Sequence, residues 1–421
     1  MQKRPARIAR TKAWAFLSIA TVCTALACSN LLDVKAPDAI GTSTLEIPEN
    51  ALLLVNSAIG DFYCAYGSYG VATGLMSGEL QESTLTASRW SYDRRDVSSN
   101  ETAYSTNDCQ SLGTYTPLSV ARFTNDHAMN LLESWTDDQV EGRQDLIAKA
   151  AVFGGYSRLL LGEAFCAAAI DRGPQLSSND LFALAVGKFD SAITAAEAAG
   201  DDDIKNLALV GKARAELDGG NNSAAAADAA LVPAGFVYDA TYDGGTSYRS
   251  NRVYSENNGG HGVTVAPAYR GTGDPRLPYS DQHRNAADEQ TPLFTQDKYT
   301  TASDPIAIGS YTEAQLILAE ATGGSGAIGI LNTLRASASL APLASSSDPA
   351  VIKADIAQER ARWLWLQGTH LYDVRRLELP LIPAVGNSYT AEYTKGGVYG
   401  SETCLPIPDV ETNNNPNARG G

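Results

Sequence analysis

Apolar side chains recur at helical spacing through most of this chain. Over residues 49–66 they fall at Leu52, Val55, Ile59, Phe62 and Tyr63, the i, i+3, i+4, i+7 rhythm of an amphipathic helix. The same rhythm predicts helices over residues 117–133, where Pro117 suits a first turn, and over residues 144–166. A fourth is predicted over residues 178–199, opened by a Ser/Asn/Asp cluster that can cap free N–H groups and stopped by Gly200. Two helix pairs follow. Residues 203–218 turn at Gly219-Gly220-Asn221-Asn222 into residues 223–230, and residues 311–322 turn at Gly323-Gly324-Ser325-Gly326 into residues 327–338. Ala213, Ala215, Ala225 and Ala226 are small enough to let paired helices approach closely. Such pairs are the units of a tetratricopeptide-type array. The expected fold class is therefore all-α, a tetratricopeptide-like helical-repeat scaffold.

Two stretches break the rhythm. Residues 66–114 and 233–304 are rich in Tyr, Gly, Asn, Asp and Pro. They are long for structureless loops inside a compact domain, and such insertions usually carry function. They are expected to form the ligand face.

The beginning of the chain reads differently. Lys3, Arg4, Arg7, Arg10 and Lys12 precede an apolar run over residues 13–27. That run is too short and too weakly apolar to be a good membrane span. Basic, apolar and small-residue segments in this order make a secretory signal. Ala25-Leu26-Ala27-Cys28 resembles a bacterial lipobox, in which the cysteine is acylated and anchors the protein to a membrane surface. Cys23 competes, but Val22 stands where a small residue is wanted; the alternative is an ordinary signal with a chance cysteine. Pro37, Gly41 and Pro48 mark a tether. The expected organisation is a signal over 1–27, a lipidated Cys28 and tether over 28–48, and a helical domain over 49–421. Within that domain an N-terminal part ends near residue 235 and a loop-rich C-terminal part occupies 236–421.

Composition narrows the partners. Hydrophobic residues make up 44% of the 421 and the formal charge is −16, so the chain can bury a large core and is a poor match for nucleic acid. Beyond Cys23 and Cys28, four cysteines remain: Cys64, Cys109, Cys166 and Cys404. An even number in an exported chain points to two disulfides with three possible pairings. None has zinc-site CxxC spacing, and no metal is expected. Cys64 ends the first predicted helix, Cys109 precedes the second and Cys166 ends the third, so stacked helices would gather all three at one pole. Cys64–Cys109 and Cys64–Cys166 both stay open, with the leftover cysteine paired to Cys404.

The search for chemistry is mostly negative. HExxH, GxSxG, a P-loop and GxGxxG after a strand are all missing. Neither catalysis nor a cofactor is expected. Glu79, Glu82, Asp93 and Asp96 share one loop region with Trp90 and Tyr92. A solvated acidic loop is the favoured reading, and a glycoside hydrolase or lyase using these carboxylates is the rival. Trp90, Tyr92, Tyr104, Tyr242, Tyr248, Tyr254, Tyr269 and Tyr279 all fall in the two irregular stretches. Flat rings with polar edges suit stacking on sugars. Trp90, the only tryptophan there, with Tyr92 beside it, is the first candidate, followed by Tyr248 and Tyr269.

Six segments together resemble the SusD/RagB family of outer-membrane nutrient-binding lipoproteins. They are Cys28-Ser29-Asn30-Leu31-Leu32-Asp33-Val34 with Pro37, the helix pair over residues 209–232, Gly273-Asp274-Pro275-Arg276, and the block from Ser310 through Glu313, Ala319-Glu320-Ala321 and Leu331-Asn332 to Arg335. Then come Ile356, Glu359-Arg360, Gly368, Asp373 and Arg375-Arg376, and finally Leu405-Pro406-Ile407-Pro408 with Asn415-Pro416. Gln367 and His370 depart from the family's usual Glu and Arg. The resemblance implies a tetratricopeptide-based scaffold whose inserted loops bind a nutrient, mostly a glycan. It also implies a SusC-like TonB-dependent transporter as partner and an outer-membrane location through the lipid anchor. The motif residues themselves read as scaffold. Glu359 and Arg360 are expected to begin a helix carrying Trp363, Leu364, Leu366 and Leu371 inward, with Arg375 and Arg376 near its end.

Overall fold

The computed structural model describes residues 42–107, 109–110, 112–389 and 395–419. The predicted signal and Cys28 lie outside them, as does the tether up to residue 41. The chain divides into two compact units, Met1–Ile47 and Pro48–Gly421. The described part of the first contains a one-turn helix, Thr42–Leu45.

The second unit is dominated by helices. They are α1 (Ala51–Ser77), α2 (Trp90–Arg94), α3 (Tyr115–Ser134), α4 (Arg143–Ala164), α5 (Ser178–Ala199), α6 (Asp202–Asp218) and α7 (Asn222–Ala229), then α8 (Tyr311–Thr322), α9 (Gly324–Ser337), α10 (Pro349–Trp363), α11 (His370–Arg376) and α12 (Asp409–Asn414). The strands are short: β1 (Leu80–Glu82), β2 (Ala168–Ala169), β3 (Gln175–Leu176), β4 (Val237–Ala240), β5 (Val263–Val265), β6 (Tyr279–Asn285), β7 (Pro292–Gln296) and β8 (Ile306–Ser310). They form antiparallel pairs β1–β5, β2–β3, β4–β8 and β6–β7.

Consecutive helices α3 to α7 pack on one another, with α1 against α3 and α4. Beyond the insertion, α8 docks on α7 and α6 and continues the array through α9 and α10. The β4–β8 pair brings the two ends of the insertion together, Val237 opposite Ser310 and Ala240 opposite Ile306. This is the all-α, tetratricopeptide-like scaffold with inserted loops. One apolar core spans residue 235, taking in Val210, Ala240, Ile308 and Trp365. Leu316 and Ala319 turn to a smaller core shared with Ile328, Leu331 and Ile356.

Helix ends follow local chemistry. Ser177 caps α5 in a full capping box with Asp180, and Gly200 closes it in left-handed conformation. Close packing has a backbone requirement too. A Cβ on Gly211 would sit 2.5 Å from the Phe189 ring, which itself meets Tyr156 edge-on at 5.1 Å. At the centre Arg214 donates to Glu163 through Nε and Nη2, both at 2.6 Å, and faces Glu313 at 3.4 Å, while the Tyr69 hydroxyl donates to Glu163. All four are buried, so one ionic cluster ties α1, α4, α6 and α8.

Two expectations need correction. Helix α1 does not stop near residue 66 but runs to Ser77. Every residue from Ala65 to Ser77 is buried, and a helix buried all round shows no amphipathic period. Cys64 therefore lies inside the helix and not at its end. The structure pairs Cys64 with Cys109 and Cys166 with Cys404, Cα atoms 5.8 and 5.2 Å apart. Nor does a helix begin at Glu359. Those residues close α10, the chain turns through Leu366 (φ 59) and Gly368 (φ 80), and α11 starts afresh at His370. Gly368 is required twice over, by its left-handed backbone and because a Cβ there would meet the Tyr69 ring at 2.6 Å.

The motif residues bind the scaffold to itself. Arg276 bridges Asp274 and Glu359, and Arg335 also reaches Glu359. Arg360 and Arg376 share Asp373, and Arg376 continues to Glu320 and Asp218. The Arg276 hydrogen bonds hold the Asp274 carboxyl down at about 2.

Candidate functional site

Strand β1 follows α1 after a left-handed Gly78 and pairs with β5, Leu80 opposite Val265 and Glu82 opposite Val263. The ladder runs on. Ser83 N–H donates to the Gly262 carbonyl at 2.9 Å, and the Ser83 hydroxyl to the His261 carbonyl at 2.9 Å. Thr84 follows against Gly262, its Cγ2 3.3 Å from where a Gly262 Cβ would stand. The chain then turns into α2, whose first residue is Trp90. Its indole N–H donates to the Thr84 carbonyl at 3.0 Å, and the ring is left half-buried.

The segment that carries Trp90 is held by buried charge. Arg89 donates to Glu82 at 3.0 Å and to Glu256 at 2.8 Å, and Arg252 also bonds Glu256. Burial pushes the Glu256 carboxyl up, but Arg89 and Arg252 outweigh it and hold it below its ordinary range. Glu82 has Arg89 alone, and burial keeps it raised. Beside them the Lys395 ammonium, with no exposure, bonds Asp288 at 2.8 Å and the Glu82 carbonyl at 2.7 Å. Asp93 accepts from the Glu82 N–H at 2.9 Å and from the Tyr389 hydroxyl at 3.2 Å, and burial lifts it to about 7. The indole hydrogen bond holds the ring in one orientation; for any ligand that stacked on it, the ordering cost of binding would be lowered.

The four candidate aromatics separate in space. Tyr92, two residues beyond Trp90 in α2, points inward as that spacing on a helix requires. It is 0% exposed and its hydroxyl donates to the Leu112 carbonyl, so it offers no face to a ligand. Tyr269 is buried too, stacked on Trp365 at 6.2 Å. It edges a cavity of about 390 Å³ with Leu277, Ala357, Arg362, His370 and Ile382 on its walls. Tyr248 is 52% exposed on the turn Ser247–Arg249. Among the described residues no ring contact joins any two of the four.

The loop carboxylates are not a solvated cluster. Glu79, Glu82 and Asp93 are buried, and each accepts a backbone N–H: Leu366 to Glu79, Thr84 to Glu82, and Glu82 to Asp93. Only Asp96 reaches solvent, paired with Arg94. These acids hold the loop together and present no pair of carboxylates to a substrate. Among the described residues no group of side chains is arranged to hold a metal ion, and no helix is long and apolar enough to cross a membrane.

A helical-repeat scaffold with loops inserted between repeats and aromatic rings among them recurs in solved structures. The chain is similar to a SusD superfamily protein from Parabacteroides distasonis (13% identity, TM-score 0.66, covering 90% of this chain and 99% of that one). It is also similar to a SusD homolog from Bacteroides thetaiotaomicron (15%, 0.65, 89% and 96%). A third is a laminarin-binding SusD-like protein (15%, 0.62, 85% and 96%). No family model and no curated protein matches the sequence. The chain has the SusD-type fold.

Proposed function

We propose that this protein captures glycans without transforming them. The observation that carries the reading is the likeness over nearly its whole length to SusD-like proteins, one of which binds laminarin. The Trp90 platform supports it, being a half-exposed ring fixed by its own N–H on buried ion pairs. The burial of Glu79, Glu82 and Asp93 argues against the hydrolase or lyase alternative. Trp90 is the expected stacking residue and Tyr248 an outlying second contact.

The finer reading follows the sequence. Acylation of Cys28 would anchor the protein at the outer-membrane surface, and a SusC-like TonB-dependent transporter would receive the ligand. Radiolabelled palmitate is expected to enter the wild type and not Cys28→Ser. Co-purification of a large β-barrel with the anchored protein would support the transporter partnership.

Binding is tested on a panel of laminarin and other polysaccharides. Trp90→Ala is expected to weaken the best ligand several-fold, since a stacked ring contributes on the order of 1 kcal/mol, with the helical circular dichroism unchanged. Release of new reducing ends by purified protein would overturn the reading.

A further inference from the structure

Among the described residues most guanidinium groups face carboxylates, as Arg89, Arg158, Arg214 and Arg276 do. Arg284, exposed on β6, faces an imidazole instead: its Nη2 lies 2.9 Å from His261 Nε2. Burial and the neighbouring guanidinium both hold the His261 ring below its ordinary pKa, so at neutral pH the ring accepts the Arg284 N–H and leaves the positive charge uncancelled. The remaining N–H donors of the fork stay available.

The position of this pair matters. Gly262, next to His261, lies against Thr84, whose Cγ2 is 3.3 Å from where a Gly262 Cβ would stand, and the Thr84 carbonyl holds the Trp90 indole. Ser83 fastens the two segments through both its N–H and its hydroxyl. A fixed aromatic ring and an uncancelled cation thus lie within the span of a short oligosaccharide. The nearby acids Glu82 and Glu256 are occupied by Arg89 and Arg252. His261 and His283, on either side of the contact, both take left-handed backbone (φ 55 and 51), uncommon for a side-chain-bearing residue and frequent at binding sites.

We infer that Trp90, His261 and Arg284 form one recognition patch for an anionic sugar, with the ring stacked on Trp90 and its acidic group held by Arg284. The inference rests on the glycan-binding reading above. A guanidinium fork matches the two oxygens of a carboxylate or of a sulfate ester. Local charge of this kind is needed, because the chain carries −16 overall and repels anions at longer range.

Isothermal titration of the purified protein with three probes tests it: polygalacturonate oligosaccharides, sulfated carrageenan oligosaccharides and neutral laminarin oligosaccharides. At least one anionic probe is expected to bind more tightly than laminarin at low salt, and the preference to shrink as salt screens the charge. Arg284→Gln is expected to weaken that probe tenfold or more and leave laminarin unchanged, with Arg284→Lys between the two. Whether polygalacturonate or carrageenan responds distinguishes carboxylate from sulfate. Anionic binding indifferent to Arg284→Gln, or laminarin preferred over both, overturns the patch and leaves glycan capture standing. Failure of all three probes to bind, with other glycans also inert, removes both.

Discussion

The helical array and the loop face are held together by different means. Between α4, α5 and α6 the interface is apolar. Phe189, Tyr156, Phe182 and Leu181 fill it, with glycines where rings come too close for a Cβ; buried Arg158 pairs outward with Asp126 of α3, and Arg214 stands at the meeting of four helices. The loop face anchors Leu80, Val253, Val263 and Val265 in the same core but adds a buried polar network. Residues 80–96, 252–296 and 395–400 are joined by Arg89, Arg252 and Lys395 on Glu82, Glu256 and Asp288, and by Asn257, Asn258 and Gln296 on backbone groups. The difference separates a frame held by packing from a surface held by directional bonds. Apolar packing is forgiving of exact chemistry, so the array tolerates drift. Polar networks are specific in geometry and orient side chains such as Trp90.

The largest expected effect lies in the array. Arg214→Met leaves Glu163 and Glu313 buried without their cation, a lesion that costs about 3–5 kcal/mol. Urea unfolding is expected to show a much lower midpoint with an unchanged slope. A shift of only a few tenths of a kcal/mol would mean that packing alone holds the four helices, and the comparison would lose its ionic exception.

Glu79 sits where the two regions join. One carboxyl oxygen accepts the Leu366 N–H at 3.1 Å, its own carbonyl accepts from Ala266, and burial raises it to about 7 from 4.5. A carboxyl whose folded pKa is raised supports the fold fully below its unfolded pKa and loses that support as pH rises through the folded one. The window is therefore pH 4.5 to 7, and the loss about 3 kcal/mol at most. Glu79→Gln is expected to remove this part of the pH slope, read as the difference between variant and wild type across chemical-denaturation series. Parallel curves from pH 4.5 to 7.5 would place the carboxylate in contact with water.

How much of this was readable beforehand follows the same division. Helices with one wet face announced themselves, and α5 was legible to the residue because Ser177–Asp180 and Gly200 mark both its ends. The far half of α1 was invisible because burial on every side erases the period. The break at Gly368 is tertiary, set by the Tyr69 ring from a helix three hundred residues earlier in the chain. On the loop face, composition pointed to Trp90 but could not tell it from Tyr92, since side-chain direction there depends on a five-residue helix. Arg284 and His261 left no signal in the sequence at all. They meet only because β1, β5 and the β6–β7 hairpin come together.

The smallest expected effect on global stability makes the sharpest test. Lys395→Met inflicts on the loop face the lesion that Arg214→Met inflicts on the array, a buried carboxylate, Asp288, deprived of its cation. If the two regions were alike, the two variants would lose similar stability. Residues 83–90 and 286–291 bury few apolar side chains, and such segments open locally at less cost than the whole fold. The loss of Lys395 is therefore limited by the opening of residues 83–90 and 286–291, where water can reach Asp288. The melting temperature is expected to stay within about 2 °C of wild type. The local cost should appear elsewhere, as faster hydrogen exchange at the Asp288 N–H, which donates to the Ser83 carbonyl, and as weaker glycan binding, because Ser83 and Thr84 carry the Trp90 platform. A drop in melting temperature equal to that of Arg214→Met would show the loop face to be part of the cooperative core. The division between frame and face would then be one of composition only.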